Sequence, residues 1–129
     1  MAELEGGGKA AATAIAVGRI GLGVGFTLVP KLALKAWPGR GSGDDPTVRF
    51  LARSTGGRDL AIGVGTLMAI QKDTPVRGWL EAGMLADAVD ALAILAAFRS
   101  MPKLKATFAL GSAVGSVLAS RRAIASLSS

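Results

Sequence analysis

The sequence predicts an all-α fold, in the form of a four-helix transmembrane bundle with a short interfacial segment after the first helix. Half of the 129 residues are apolar, and the mean hydropathy is +0.46. The 18 glycines and the many alanines have small side chains of the kind that let helices pack closely inside a bilayer. No stretch shows the sustained apolar–polar alternation or the Asn-Gly turns that indicate β-hairpins.

Four apolar segments are predicted to cross the membrane, at approximately residues 9–30, 46–71, 75–100 and 102–122. Pro46, Pro75 and Pro102 stand near the starts of the last three, where proline suits the first helical turn. Pro30 is predicted to end the first helix. The stretch Lys31–Asp45 predicts a short interfacial helix and then a turn rich in Gly, Ser and Asp. A chain of this length forms one domain, so residues 1–129 are predicted to be a single membrane domain.

A soluble helical bundle is the alternative, because no segment contains about 18 consecutive apolar residues without a charge. A soluble bundle helix, however, needs a polar face over about half of its circumference. The only polar side chains in residues 10–30 are Thr13, Arg19 and Thr27. In residues 106–120 every polar side chain is the hydroxyl of a Ser or Thr. A chain of this size cannot bury four such helices. We therefore expect an integral, multi-pass protein of the cytoplasmic (inner) membrane, with the lipid bilayer as a partner.

Two features near the segment ends agree with this expectation. Trp37 and Trp79 fall where interfacial aromatic residues are common. Glu3 and Glu5 precede Lys9, whereas a secretory signal begins with a basic region. We therefore expect the first apolar segment to be retained.

Charged residues near the middle of three segments predict an intramembrane network. Its members are Arg19, Arg53, Arg58, Asp59, Asp87 and Asp90, three positive and three negative. An unpaired charge at this depth costs about 3 kcal/mol or more, so we expect these side chains to face inward and to pair. Asp87 and Asp90 share one helix face, and Arg19 and Arg58 are their predicted counter-ions. Asp59 lies about 100° around the helix from Arg58, so it is predicted to pair with Arg19 instead.

Small residues at spacings of four predict two helix-packing stripes. The first contains Gly21 and Gly25, and the second contains Gly111, Gly115 and Ala119. Such stripes allow close contact between helices. We prefer contacts within one chain, with oligomerisation as the alternative.

The composition disfavours an enzyme. The sequence has no Cys, His, Tyr or Asn, so the most frequent general base and transition-metal ligand are missing, and no cofactor or metal site is predicted. Asp87-Ala-Val-Asp90 begins like the Asp-x-x-Asp-Gly motif of membrane CDP-alcohol phosphotransferases, but Ala91 follows and the rest of the motif is missing. The basic residues behind the net charge of +6 are scattered, so no nucleic-acid partner is predicted.

The stretch LARSTGGRDLAIGVG, residues 51–65, together with DAVDALAIL from Asp87, resembles a family of small integral membrane proteins. This largely uncharacterised four-helix family is common in actinobacteria. The resemblance covers most of the chain from Arg19 onward, and its matching positions are Gly57, Arg58, Asp59, Gly63, Asp87 and Asp90. It implies an integral four-span fold and carries no established activity.

These observations favour a non-catalytic role, as an accessory or scaffold subunit of a larger membrane complex or as a small homo-oligomer. The small size, the lack of several residue types common in active sites, and the short loops support this prediction. One alternative is a small proton-coupled transporter that uses Asp87 and Asp90. Another is binding of a lipid or hydrophobic ligand between the helices, which requires a pocket.

Overall fold

The computed structural model describes residues 6–36 and 43–127. These residues form five α-helices, and the predicted all-α class is confirmed. The helices are α1 (Gly6–Leu28), α2 (Pro30–Ala36), α3 (Pro46–Gln71), α4 (Arg77–Ala97) and α5 (Lys103–Ala125). A 3-10 turn, Phe98–Ser100, follows α4. The four long helices lie at or within a few residues of the predicted segments.

The prolines act mainly as helix starts. Pro46 is the first residue of α3, and the Asp45 side chain caps this helix by accepting a hydrogen bond from the Thr47 N–H at 2.8 Å. The prediction that Pro30 ends the first helix is corrected. α1 ends at Leu28, and Pro30 begins the short helix α2, because its fixed φ and missing N–H suit a first turn. Trp37 lies outside the described residues.

The helices associate as two pairs. α1 packs along α3, and α4 packs along α5, whereas contacts between the two pairs are fewer. Gly23 and Gly56 bring the backbones of α1 and α3 into direct contact. A Cβ on Gly23 would lie 2.7 Å from the Gly56 carbonyl oxygen, and a Cβ on Gly56 would lie 2.8 Å from the Gly23 carbonyl oxygen. Gly63 extends this contact, since its Cβ would lie 2.9 Å from the Ala16 carbonyl oxygen.

The predicted packing stripes do not form these contacts. A Cβ added to Gly21, Gly111 or Gly115 would meet nothing within 4 Å, and one added to Gly25 would meet only the Ala33 side chain of α2. Ala119 is exposed. On α1 the contact is displaced by two residues, from Gly21 to Gly23, which is about 200° around the helix and therefore its opposite side. Small-residue spacing identified a glycine-rich helix, but the contact within the chain uses a different face of it.

Two apolar clusters occupy opposite ends of the molecule. One contains Ala12, Leu80 and Ala123 and joins all four long helices through its neighbours, which include Ile70 of α3. The other contains Phe26, Leu34 and Ala52, and its described members come from α1, α2 and α3. The α4–α5 pair therefore packs against α1 and α3 at the end that contains Leu80. It contributes no described residue to the cluster around Phe26 at the other end.

Small side chains dominate the interior, and large apolar side chains lie outside. Of the twelve buried apolar residues in the described part of the chain, eight are alanines. Large apolar side chains that are more than half exposed occur on each long helix, including Val17, Leu28, Phe50, Leu51, Leu85, Leu92, Leu104 and Leu118. Leu, Val and Phe are among the residues most often buried in soluble proteins, so the exposure of this many of them is unusual for such a protein.

One helix in the described part of the chain is long and apolar enough to cross a membrane, over residues Gly7–Leu28. Length and composition alone support this statement. The core helix of a soluble protein and an N-terminal signal sequence have the same properties, so this helix by itself does not distinguish a membrane protein.

Candidate functional site

Five charged side chains from α1, α3 and α4 form a continuous series of ion pairs. In order of contact they are Asp87, Arg19, Asp59, Arg58 and Asp90, and we call this set the charge network. All five residues lie near the middle of their helices. Carboxylates and guanidinium groups alternate along the series, so an opposite charge separates each pair of like charges. This alternation makes the burial of several charges tolerable.

Arg19 of α1 bridges two buried carboxylates from different helices. Its Nη1 donates to Asp59 Oδ1 at 3.1 Å and to Asp87 Oδ1 at 3.4 Å, and its Nη2 donates to Asp87 Oδ2. All three side chains are buried. The planar guanidinium suits this two-pronged contact. These are the partners that the sequence predicts for Arg19.

Arg58 of α3 makes a second two-pronged contact, with Asp90 of α4. Its Nη1 donates to Asp90 Oδ1 at 3.2 Å, and its Nη2 donates to Asp90 Oδ2 at 3.0 Å. The same Nη2 reaches Asp59 Oδ1 at 3.5 Å. The sequence prediction excluded a contact between Arg58 and Asp59, but the long arginine side chain folds back far enough to make one. Asp59 therefore connects the two arginines.

Gly83 of α4 provides the space that the Arg19 guanidinium occupies. A Cβ on this buried glycine would lie 2.7 Å from Arg19 Nη2 and 3.0 Å from Arg19 Cζ. Gly83 and Asp87 are four residues apart and share one face of α4. Gly83 is not among the site residues predicted from the sequence. The available signal was a glycine one turn before an aspartate inside an apolar helix.

Arg53 lies outside the charge network, contrary to the prediction. It is exposed, and its Nε donates to the Thr27 carbonyl oxygen of α1 at 3.3 Å. Arg53 is five residues before Arg58, which places it about 140° away around α3. The five residues of the charge network comprise two guanidinium groups and three carboxylates, and Arg53 is not one of them.

A cavity of about 620 Å³ lies between the α1–α3 pair and the α4–α5 pair. One wall carries members of the charge network, namely Arg19, Asp59, Asp87 and Asp90. The other lining residues are small, apolar or hydroxyl-bearing and come from all five helices; they include Leu22, Leu34, Val48, Leu51, Thr55, Ile94, Ser112 and Ser116. Gly111, Gly115 and Ala119 of the predicted α5 stripe also line the cavity. The stripe borders open space because the two helix pairs diverge here.

The lining gives the cavity apolar walls and one charged wall. The volume falls within the range of about 300–1,000 Å³ that is common for small-molecule sites. The three carboxylates face guanidinium groups, and no group of acidic side chains suited to a metal ion occurs among residues 6–36 and 43–127.

The chain matches no known protein family, no curated protein and no solved structure. The resemblance of residues 51–65 to small actinobacterial membrane proteins stays a prediction from those motifs.

Proposed function

We propose that this chain is a non-catalytic, four-span protein of the cytoplasmic membrane that binds an amphipathic molecule between its two helix pairs. The spans are α1, α3, α4 and α5, with 23, 26, 21 and 23 residues. At 1.5 Å per residue these helices are about 32 to 39 Å long, enough for a hydrocarbon core of about 30 Å. α2 is the short interfacial segment.

The exposure of many large apolar side chains is the observation that carries the membrane assignment. Leu28, Phe50, Leu92 and Leu104 are exposed, while the interior is mainly alanine and glycine. Burying a Leu or Phe side chain is worth about 1.5–3 kcal/mol, so a water-soluble fold that leaves so many exposed would forgo much of its stability. In a bilayer these side chains face lipid, and small residues suit the contacts between helices.

The placement of charge supports the same assignment. The charge network lies at the middle of α1, α3 and α4 and points into the molecule, where each arginine has carboxylate partners. By contrast, Arg77 and Glu81 form an exposed pair within the first turns of α4. Ionisable residues inside membranes typically face the bundle interior and mark functional sites.

The cavity supports the binding role. It has the apolar walls and the polar groups that an amphipathic ligand needs, and the sequence-based alternative of hydrophobic-ligand binding requires such a pocket. No step of chemistry is required of the site, which agrees with the absence of His and Cys from the sequence.

Cysteine labelling tests the membrane arrangement, because the natural chain contains no Cys. Lys72→Cys lies after α3, Lys103→Cys lies at the start of α5, and Leu92→Cys lies on the outside of α4 with 66% of the residue exposed. In right-side-out vesicles, a membrane-impermeant maleimide should label only one of the two lysine-site variants. The other should react after permeabilisation, and Leu92→Cys should stay unlabelled. Labelling of Leu92→Cys to the same extent as the loop variants, with the protein in the soluble fraction, contradicts the proposal.

An accessory or oligomeric role is the second candidate, and one observation favours it. Gly21 of α1 is exposed, and a Cβ there would meet nothing, so a small-residue surface on the outside of α1 is open to another helix. Purification from native membranes in mild detergent tests this role. Recovery of an isolated monomer without partner subunits contradicts it.

A further inference from the structure

We infer that the cavity between the helix pairs binds an acyl chain of an anionic phospholipid, and that the phosphate head of this lipid lies at the end of the molecule that carries α2. This inference rests on the proposed function and specifies its ligand class. Three observations carry it: the depth at which the cavity opens, the end of the molecule that the cavity reaches, and the basic side chains exposed at that end.

The cavity opens to the outside of the molecule at the depth of the hydrocarbon core. Gly18 of α1 and Gly115 of α5 line it and are exposed, and a Cβ built on either would meet nothing within 4 Å. Each glycine lies at least ten residues, or about 15 Å, from both ends of its helix. When α1 and α5 span a bilayer, lipid acyl chains surround this depth. An acyl chain is therefore the molecule that the bilayer supplies to the cavity.

The cavity lies towards the end of the molecule that carries α2, which we call the α2 end. At this end its lining includes Leu34 of α2 and Val48, the third residue of α3. At the opposite end the apolar cluster of Ala12, Leu80 and Ala123 joins the helix pairs. The head of a lipid whose tail fills the cavity therefore lies at the α2 end.

Exposed basic residues come together at the α2 end. α4 begins near Leu80 and α5 ends near Ala123, so the end of α4 and the start of α5 lie at the α2 end. The exposed basic residues of this region are Lys31, Lys35, Arg53, Arg99, Lys103 and Lys105. The described carboxylates of the same region are Asp44, which contacts Lys31 at 4.0 Å, and Asp45, which caps α3. Basic residues therefore outnumber acidic ones where the head is expected.

Lys35 and Lys105 are the basic residues that stand closest in the chain to the cavity lining. Lys35 directly follows the lining residue Leu34. Lys105 lies four residues before the lining residue Ala109, so the two share one face of α5. A lysine ammonium binds phosphate as a point charge, and clusters of Lys and Arg at a membrane surface attract anionic lipids. We therefore expect a head with a net negative charge, as in phosphatidylglycerol, in preference to a zwitterionic head.

The charge network is compatible with an uncharged tail beside it. Asp59 and Asp87 pair with Arg19, and Asp90 pairs with Arg58. Each of these carboxylates on the cavity wall therefore has a guanidinium partner within the chain, which makes its burial beside an acyl chain tolerable. The rest of the lining supplies apolar contacts for the tail, from Leu22, Leu34, Leu51 and Ile94.

Native mass spectrometry of the whole chain in detergent tests this inference, because it counts the lipids bound to each chain. The probes are phosphatidylglycerol and phosphatidylcholine with the same oleoyl chains, and monooleoylglycerol as an uncharged amphiphile. We expect one phosphatidylglycerol per chain to bind about tenfold or more tightly than phosphatidylcholine, since each basic residue near the membrane surface strengthens the attraction of an anionic lipid.

Two double variants with the same change in charge test the position of the head. Lys35→Gln combined with Lys105→Gln should reduce the preference for phosphatidylglycerol about tenfold or more. Lys9→Gln combined with Lys72→Gln is the control, because it removes two exposed lysines from the opposite end of the molecule, and it should leave the preference unchanged. Equal losses in the two double variants would show that overall charge attracts the lipid, and they overturn the inference.

Gly115→Leu tests whether the tail occupies the cavity, because its side chain projects into open space there. The matched control, Gly21→Leu, adds the same side chain at an open position on α1 that does not line the cavity. Gly115→Leu should weaken binding of both lipids about tenfold or more, and Gly21→Leu should not. Phosphatidylglycerol binding that survives Gly115→Leu places the lipid on the outer surface and overturns the inference. Gly111→Leu, at another lining glycine with open space, repeats the measurement if Gly115→Leu does not fold.

The probes separate the inference from the proposed function. Equal affinity for the two lipids, lost in Gly115→Leu, overturns the headgroup assignment and leaves the binding function intact. Binding of monooleoylglycerol without either lipid, also lost in Gly115→Leu, has the same meaning. If none of the three probes binds to the natural chain, both fail.

The same spectra identify a second copy of the chain as the occupant. If the natural protein is a dimer and Gly115→Leu is a monomer, another protein chain fills the cavity and the inference is overturned. An unchanged oligomeric state together with the expected lipid preference supports an anionic phospholipid.

Discussion

Arg19 and Asp87 are 68 residues apart in the chain and form a two-pronged ion pair near the middle of α1 and α4. This pair is a direct link between two helix pairs that otherwise share few contacts. At one end of the molecule an apolar cluster around Leu80 joins the pairs, and beyond the charge network a cavity separates them. The charge network therefore forms the boundary between the packed part of the molecule and the open part.

Replacing Arg19 should strongly destabilise the fold. Arg19→Gln removes the positive charge from Asp59 and Asp87 while both carboxylates stay buried, so the free energy of unfolding should fall by about 3–5 kcal/mol. Unfolding in a mixed-detergent titration, followed by circular dichroism, measures this change. Arg77→Gln is the control because Arg77 pairs with Glu81 on the exposed surface, where such pairs contribute about 0.3–0.5 kcal/mol. Equal losses in the two variants would contradict a buried ion network.

Adding one methyl group at Gly83 should disturb the charge network without changing any charge. In Gly83→Ala the new methyl lies where the Arg19 guanidinium sits, so the guanidinium must move away from Asp87, at a cost of about 1–3 kcal/mol. Gly78→Ala is the control on the same helix, because a Cβ there meets nothing within 4 Å. Combined with Arg19→Gln, Gly83→Ala should lose most of its effect. If Gly83→Ala destabilises the Arg19→Gln variant as much as it destabilises the natural chain, Gly83 acts through some other contact.

Neighbouring glycines of α3 should respond in opposite ways to substitution by alanine. Gly56→Ala places a methyl 2.8 Å from the Gly23 carbonyl oxygen and should destabilise the α1–α3 pair by about 1–3 kcal/mol. In Gly57→Ala the added methyl points to open space, so this substitution should be neutral or should stabilise the helix by up to about 1 kcal/mol. Thermal unfolding of the two variants in the same detergent measures the difference. Similar melting temperatures would contradict the close backbone contact.

The two arginine–aspartate pairs should differ in coupling energy. Double-mutant cycles with Gln and Asn should give a larger value for Arg19–Asp87 than for Arg58–Asp90, within the usual range of about 0.5–3 kcal/mol. The reason is screening, since the first pair has side chains 9% and 10% exposed and the second has 32% and 25%. Unfolding titrations of the single and double variants supply the four free energies of each cycle. A larger coupling for Arg58–Asp90 would reverse this interpretation.

Much of the fold and part of the site could be predicted from the sequence. The all-α class followed from composition and from the absence of strand signals, and the prolines marked where α3 and α5 begin. The partners of Arg19 and Arg58 on α4 could also be predicted, because buried charges need opposite charges at the same depth. Arg53 was misassigned because depth along a helix does not say which way a side chain points.

Local chemistry along the chain determined where helices form and which charged residues need partners, since both follow from residue type and spacing over a few turns. Only the tertiary structure decided which faces meet. The contact between α1 and α3 uses Gly23 and Gly56 instead of Gly21, and Gly83 gains its importance from Arg19, a residue 64 positions earlier. The α5 stripe lines a cavity instead of a helix contact. The physical reason is that small residues permit close approach on any face, while the pairing of the helices selects the face that is used.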